Sequence, residues 1–239
     1  PLVVADLFAS GTMSGTTIKY PVYGKLEGDA ATVAEGGQKP QLHLPDPTWE
    51  SDSLHEIAAW WKITDDMAED LPFVVSEINQ HAQYNLKLQE EIQLLSGNGT
   101  DPNLKGLLNR AIQTKAQAKD SDPDHIFAAT TDISTATGFS ADAVIINPAD
   151  YQVIRLSKDS NGQYYGGGYF AGQYGNGGIM QNPPLWGLKT VVTEAIAKGT
   201  VLVGAFKAGA TIYRKSGLTV KSTNSHENDF TNDKITFRV

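Results

Sequence analysis

The chain has 239 residues, 40% hydrophobic and 19% charged, the composition of a folded protein with one large or two small cores, not a disordered or fibrous one. Its net charge of −8 argues against a surface that grips nucleic acid broadly, because such proteins carry a Lys/Arg excess to neutralise phosphates. There is no cysteine, which excludes disulfides, thiolate zinc sites and a cysteine nucleophile, and no apolar run approaches the roughly 20 residues of a membrane helix.

Residues 2–10 form a short apolar stretch, helix or strand, closed by Gly11. The chain opens Pro1-Leu2-Val3-Val4 without Met or a signal-type core, so we expect that something precedes it. Residues 16–24 alternate apolar and polar side chains and are rich in β-formers. After a polar, glycine-containing span, a second extended stretch runs from about Gln41 to Ile63, and Pro21, Pro40, Pro45 and Pro47 exclude helix interiors and central strands there. Residues 16–60 therefore read as a long two-stranded arm. A lone hairpin buries too little to persist in water, so the arm needs another surface: a neighbouring copy, or else its own domain.

The strongest helix spans Leu71 to Ser96. Asp70 is placed at its cap and Pro72 in the first turn, where the missing N–H costs nothing. Leu71, Val75, Ile78 and Ala82, then Leu88, Ile92 and Leu95, recur at helical spacing, and Gly97 ends the run. At roughly 39 Å it is longer than a small core requires, and reads as a spine. Asp122-Pro123 starts a helix to about Thr137, Asp142–Asn147 is a buried strand, and Pro148 opens a helix through Leu156. A long loop over 159–187 is rich in glycine, with Tyr164, Tyr165, Tyr169, Phe170 and Tyr174. Residues 191–193, 201–206, 210–214, 218–222 and 234–239 read as strands, the last cut in mid-run at Val239.

Nothing in this pattern builds an active site. His43, His55, His81, His125 and His226 lack zinc spacing. Asp120, Asp122 and Asp124 imitate a calcium loop, but His125 stands where glycine is needed and Thr131 where glutamate is. Neither a nucleophile elbow nor a phosphate-loop lysine motif occurs, and Gly166–Gly172 neither follows a convincing strand nor opens a helix. Asp65 and Asp66 read as helix-entry charges, and Asn98-Gly99-Thr100 as a turn. A loop rich in tyrosine and glycine is a contact surface, combining rigid amphipathic area with adaptability.

Several segments, in order and spacing, resemble one family. Residues 87–107 (Lys-Leu-Gln-Glu-Glu-Ile-Gln-Leu-Leu-Ser-Gly onward), 143–164 (Ala-Val-Ile-Ile-Asn-Pro-Ala-Asp-Tyr onward), Leu185-Trp-Gly-Leu-Lys-Thr-Val-Val-Thr193, Gly199-Thr-Val-Leu-Val-Gly-Ala-Phe206 and His226-Glu-Asn-Asp-Phe230 are similar to the major capsid proteins of tailed phages of the Hong Kong 97 type. The resemblance implies an α+β subunit with an N-terminal segment (1–15), an extended loop (16–60), a peripheral domain (61–110 and 210–239, with spine helix 71–96) and an axial domain (111–209).

It further implies a structural protein, not an enzyme, without cofactor or metal. Its copies would form pentamers and hexamers of an icosahedral head, enclosing DNA without sequence-specific binding and touching no membrane. The expected location is the virion, with assembly in the bacterial host cytoplasm. Expected partners are further copies of the chain, a scaffold or protease, a portal and decoration proteins. Lys39, Trp49, Tyr164, Tyr165, Tyr169, Phe170 and Tyr174 are the expected inter-subunit contacts. Some relatives crosslink a loop lysine to an asparagine of an adjacent subunit. Lys39 matches the lysine, while Asp233, with Asn232 beside it, occupies the acceptor position, and the assisting glutamate would fall past Val239. An ordinary polar contact at Lys39 is therefore expected, not a bond to Asn232 or Asp233. The alternatives are an encapsulin-like compartment shell and, more remotely, an α/β nucleotide-binding enzyme.

Overall fold

The computed structural model describes residues 3–24, 26–70, 72–110, 112, 122–165 and 183–239, with backbone alone at 70, 72–75 and 122. It is α+β, and the chain falls into two compact units: Pro1–Gly11 with His55–Val239, and Thr12–Leu54.

The larger unit begins with a single 3-10 turn over Ala5–Leu7, followed by β1 (Ala9–Thr12). In the smaller unit β2 (Thr17–Val22) pairs antiparallel with β3 (Thr48–Ser53), Thr17 opposite Ser53 and Val22 opposite Thr48. The Leu54 N–H donates to the Thr16 carbonyl (2.8 Å), closing the ribbon at its base. This two-stranded unit stops at Leu54, whereas the apolar pattern carried the arm on to residue 60. The difference lies in the strand that follows, β4 (Trp60–Thr64), which pairs with the C-terminal strand: Trp61 stacks on Phe237 (5.7 Å) and Ile63 is buried.

Two helices come next, α1 (Asp65–Asp70) and α2 (Pro72–Ser96). Asp65 and Asp66 open α1, where carboxylates favour the exposed N–H groups. Asp70 ends α1, and its side chain, expected to cap α2, lies outside the described residues together with Leu71. Leu95 is fully buried, with Leu88 and Ile92 packed against the same core. The turn after α2 is set by space. A Cβ on Gly97 would lie 2.2 Å from the Leu104 carbonyl oxygen, and one on Gly106 would lie 2.5 Å from the Gly97 nitrogen. The two glycines let the loop fold back so that the Gly106 N–H reaches the Gly97 carbonyl (2.8 Å). Asn98 Oδ1 accepts from the Thr100 N–H, making the expected turn.

Helix α3 (Asp122–Thr137) and helix α4 (Pro148–Arg155) flank β5 (Ala143–Ile146) in sequence. Asn147 caps α4 by accepting from the Ala149 N–H. All four β5 residues are buried, as expected of a strand covered on both faces. It is the centre of a three-stranded sheet, parallel to β6 (Lys189–Val192) and antiparallel to β7 (Val201–Gly204). Strand β7 stops at Gly204, not at Phe206, because both Asp142 carboxylate oxygens accept from the Phe206 and Lys207 N–H groups (2.9 Å each) and start α5 (Phe206–Gly209). Strand β8 (Thr211–Arg214) pairs with β1. β9 (Lys221–Thr223) is shorter and later than the sequence pattern indicated at 218–222, since Leu218 and Val220 are exposed and outside any strand. β10 (Lys234–Arg238) lies between β4 and β9.

The core joins Val4, Leu7 and Phe8 to Leu95, Ile145, Val191, Ile196 and Phe206, with Phe8 edge-on to Phe206 at 5.7 Å. At its margin is Glu91, 2% exposed. One carboxylate oxygen accepts from the Val4 N–H and the other from the Thr193 hydroxyl, both at 2.8 Å. The spine helix is thereby tied to the N-terminal segment and to the end of β6.

Candidate assembly surface

Strands β4, β10 and β9 make an antiparallel sheet whose register sorts its side chains into rows. One row runs Lys62, Thr236, Thr223; the next runs Trp60, Arg238, Lys221. The turn over 226–233 is fastened to the first row through Asp229, which is 2% exposed. The Asp229 carboxylate accepts from the Thr236 hydroxyl and pairs with the Lys62 ammonium (2.9 Å), which also reaches Glu227 (3.0 Å). His226 Nδ1 lies 3.7 Å from the Glu227 carboxylate, and its ring is 5.9 Å from that of Trp60. Both ends of the turn are held at left-handed backbone angles, Glu227 at φ 49° and Asp233 at φ 47°, a cost sustained only where surrounding contacts over-determine the conformation. The turn presents Phe230, 77% exposed.

The charges of this cluster support one another. The Thr236 hydroxyl and the Lys62 ammonium hold the Asp229 carboxyl below its ordinary range, Lys62 does the same for Glu227, and the two carboxylates raise Lys62. The two carboxylates contribute stability that is complete above their unfolded values of 3.8 and 4.5 and is lost as pH falls through the lowered folded values. The Lys62 contribution is complete below 10.5 and is lost as pH rises through its raised folded value. The expected result is a cluster opened by acid, as its two carboxylates become protonated. Thermal melts from pH 6 to pH 3 should show a shallower acid loss in Asp229→Asn than in the wild type. Identical acid limbs would show that the cluster does not govern the transition.

The expected contact residues fall as follows. Lys39 is exposed in the smaller unit, and so is Trp49, with the Lys19 ammonium 5.4 Å over its ring. In the larger unit the Lys158 ammonium lies 4.4 Å over the Tyr164 ring, and Tyr165 is 75% exposed. Tyr169, Phe170 and Tyr174, with the glycine-rich run, lie outside the described residues. Asn232 and Asp233 are exposed on the 226–233 turn, where the Asn232 N–H donates to the Asn228 and Asp229 carbonyls. Sequence reasoning did not single out Trp60, Lys221, Arg238 or Asp229 as site residues. Trp60, Lys221 and Arg238 come together only through strand register; Asp229 alone had a sequence signal, as part of the His226–Phe230 motif between two β-forming segments.

Among the described residues, no group of three or more His, Asp or Glu could hold a metal ion, and no helix is long and apolar enough to cross a membrane. The fold and this surface define an α+β subunit with a separate two-stranded unit and an exposed phenylalanine, Phe230, on a braced turn.

Comparison with known proteins supplies the class. Residues 2–239 match the phage capsid family, and the chain belongs to that family. It is 32% identical over 237 residues to the major capsid protein of Enterobacteria phage HK97, covering 98% of this chain and 59% of that protein; it therefore spans about three-fifths of that relative's length. Solved structures from Mycobacterium phage Adephagia (TM-score 0.70, 14% identity, 99% of this chain and 80% of that one) and Microbacterium phage Oxtober96 (TM-score 0.70, 16% identity, 99% and 81%) share the fold. The chain has the Hong Kong 97-type capsid fold that its motifs implied.

Proposed function

We propose that this protein is the shell-building major capsid subunit of a tailed-phage head, its copies forming pentamers and hexamers that close around packaged DNA. The observation that carries the reading is the Thr12–Leu54 unit. It has a single two-stranded ribbon, and Val22, Tyr23, Leu26, Leu42, Leu44 and Trp49 are exposed on it. Such a ribbon gains stability by lying on another surface, and membership of the capsid family supports a neighbouring copy as that surface. On this reading the unit is the extended loop, residues 61–110 and 210–239 are the peripheral domain, and 111–209 are the axial domain. Scaffold or protease, portal and decoration proteins are the expected partners, in a virion assembled in the host cytoplasm. The role is structural, without catalysis or cofactor.

An encapsulin-like compartment would use the same fold, but the matched family and the phage relatives favour the head. Gene neighbours separate the two: portal, protease and terminase against a cargo enzyme. The direct test is light scattering and negative-stain imaging of protein made from the complete gene, with any scaffold supplied. Closed particles or five- and six-fold rings are expected. Boiled in SDS they should run as monomers, because aspartate replaces the acceptor asparagine opposite Lys39. Persistent monomers before denaturation would overturn the shell reading, and covalent ladders would overturn the assignment of Lys39 as a plain contact.

A further inference from the structure

The two rows of the β4–β10–β9 sheet treat their charges differently. Residues directly opposite in antiparallel strands project from one face, with Cβ atoms about 5 Å apart. In the first row the Lys62 charge is answered within the chain by Asp229 and Glu227. In the second row Arg238 is directly opposite Lys221. Both are exposed, and neither has an ion pair among the described residues. Like charges directly opposed across a ladder are destabilising, so an isolated subunit carries this cost unrelieved. Beside Arg238 on its other flank is Trp60, 63% exposed although the Lys62 ammonium stands 5.7 Å over its ring, which adds an apolar surface to the two cations. A partner that fits this row is acidic, with apolar side chains of its own.

The smaller unit has that chemistry. Between Thr12 and Leu54 there are six acidic residues (Glu27, Asp29, Glu35, Asp46, Glu50 and Asp52) against three lysines, so it is an acidic segment with several exposed apolar side chains. Its ribbon is two-faced. Lys19, Pro21 and Trp49 share one face; Ile18, Tyr20, Val22, Glu50 and Asp52 share the other, where the Tyr20 hydroxyl lies 3.0 Å from the Asp52 carboxylate and 3.2 Å from that of Glu50. Glu50 is exposed and has no ion pair among the described residues. Glu50 and Asp52 thus form a pair of carboxylates on the face that also offers Ile18 and Val22.

We propose that the Lys221–Arg238–Trp60 row is the receptor for the acidic face of the Thr12–Leu54 arm of a second copy of this chain, with Glu50 of that arm meeting the two cations. The inference rests on the shell reading and names the surface that the arm would use. Charge complementarity of this kind fixes partner choice and register as much as it adds affinity.

The test is a charge exchange in protein made from the complete gene. Lys221→Glu with Arg238→Glu should reduce particle yield at least tenfold while leaving the melting temperature unchanged or higher, since the opposed cations are gone. Glu50→Lys should reduce yield similarly, and the three substitutions together should restore most of it. Lys221→Gln with Arg238→Gln, which removes charge without reversing it, should give an intermediate yield from a folded subunit. Wild-type yield from the Lys221→Glu/Arg238→Glu variant would overturn the proposal. So would loss in both reversals without rescue by the combination, which would assign the row to another anion such as nucleic acid. Failure of the wild type itself to form particles would instead remove the shell reading beneath it.

Discussion

Replacing Glu91 by Ala should lower stability by about 3 kcal/mol, because two buried donors lose a charged acceptor at once. Both carboxylate oxygens are used, for the Val4 N–H and the Thr193 hydroxyl, and the residue is 2% exposed. Val4 is fully buried, so its orphaned N–H would have little access to water. Thr193 would lose the acceptor for its hydroxyl while still accepting from the Ala195 N–H (3.2 Å). Glu91→Gln keeps the shape and one good acceptor and should cost less, on the order of 1 kcal/mol. Denaturant unfolding of the two variants checks this. Equal losses would show that the volume of the side chain matters and its hydrogen bonds do not. The Ala variant should also release the N-terminal segment, made visible by faster cleavage before Phe8 under limited proteolysis.

A second large effect is expected at Gly97. Gly97→Ala would place a methyl 2.2 Å from the Leu104 carbonyl oxygen and 2.6 Å from that of Gln93. Both obstacles are backbone, so the cost is overpacking that a side-chain rotation cannot relieve, about 3 kcal/mol. The Gly106 N–H bond to the Gly97 carbonyl (2.8 Å) and the Asn109 amide bond to the same oxygen (2.8 Å) would be displaced with it. The Gln93 side chain, which accepts from the Leu104 N–H and donates to Asn103, would lose its alignment. Gly99→Ala provides the comparison. It strains a left-handed backbone at φ 73° but meets only the Lys105 side chain at 3.2 Å, and should cost about 1 kcal/mol. Thermal melts of the two variants should rank Gly97 well above Gly99; the reverse order would refute the close-approach account.

Both predictions concern positions whose importance the amino-acid pattern showed only in outline. Gly97 reads from sequence as a helix stop, which it is, yet its burial against the returning chain depends on Gly106, nine positions on. Glu91 reads as one more polar residue on an amphipathic helix. Its role appears only when Val4 and Thr193, far apart in the chain, converge on it.

Periodicity and punctuation alone determined much of this protein. The helical repeat from Leu88 to Leu95, the Asp122–Thr137 helix, the apolar run of β5 and the Pro148 helix start are local, and local sequence carries propensity and capping directly. The first strand of the arm was legible as alternation over residues 16–24, with Pro21 inside it, and the second as an extended stretch kept from helix by its prolines. The ordered motifs from residue 87 to Phe230 by themselves indicate the capsid family. What tertiary structure decided was non-local. It ended the arm at Leu54 and placed Trp60, read from sequence as the arm's last residue, in the strand that pairs with β10. It ended β7 at Gly204 because Asp142, a distant carboxylate, caps the next turn. It also set Arg238 against Lys221 and buried Asp229 under Lys62 and Thr236. Cross-strand register and burial of charge depend on which segments meet, and pairing between remote segments is written in the whole fold and not in any one window of the chain.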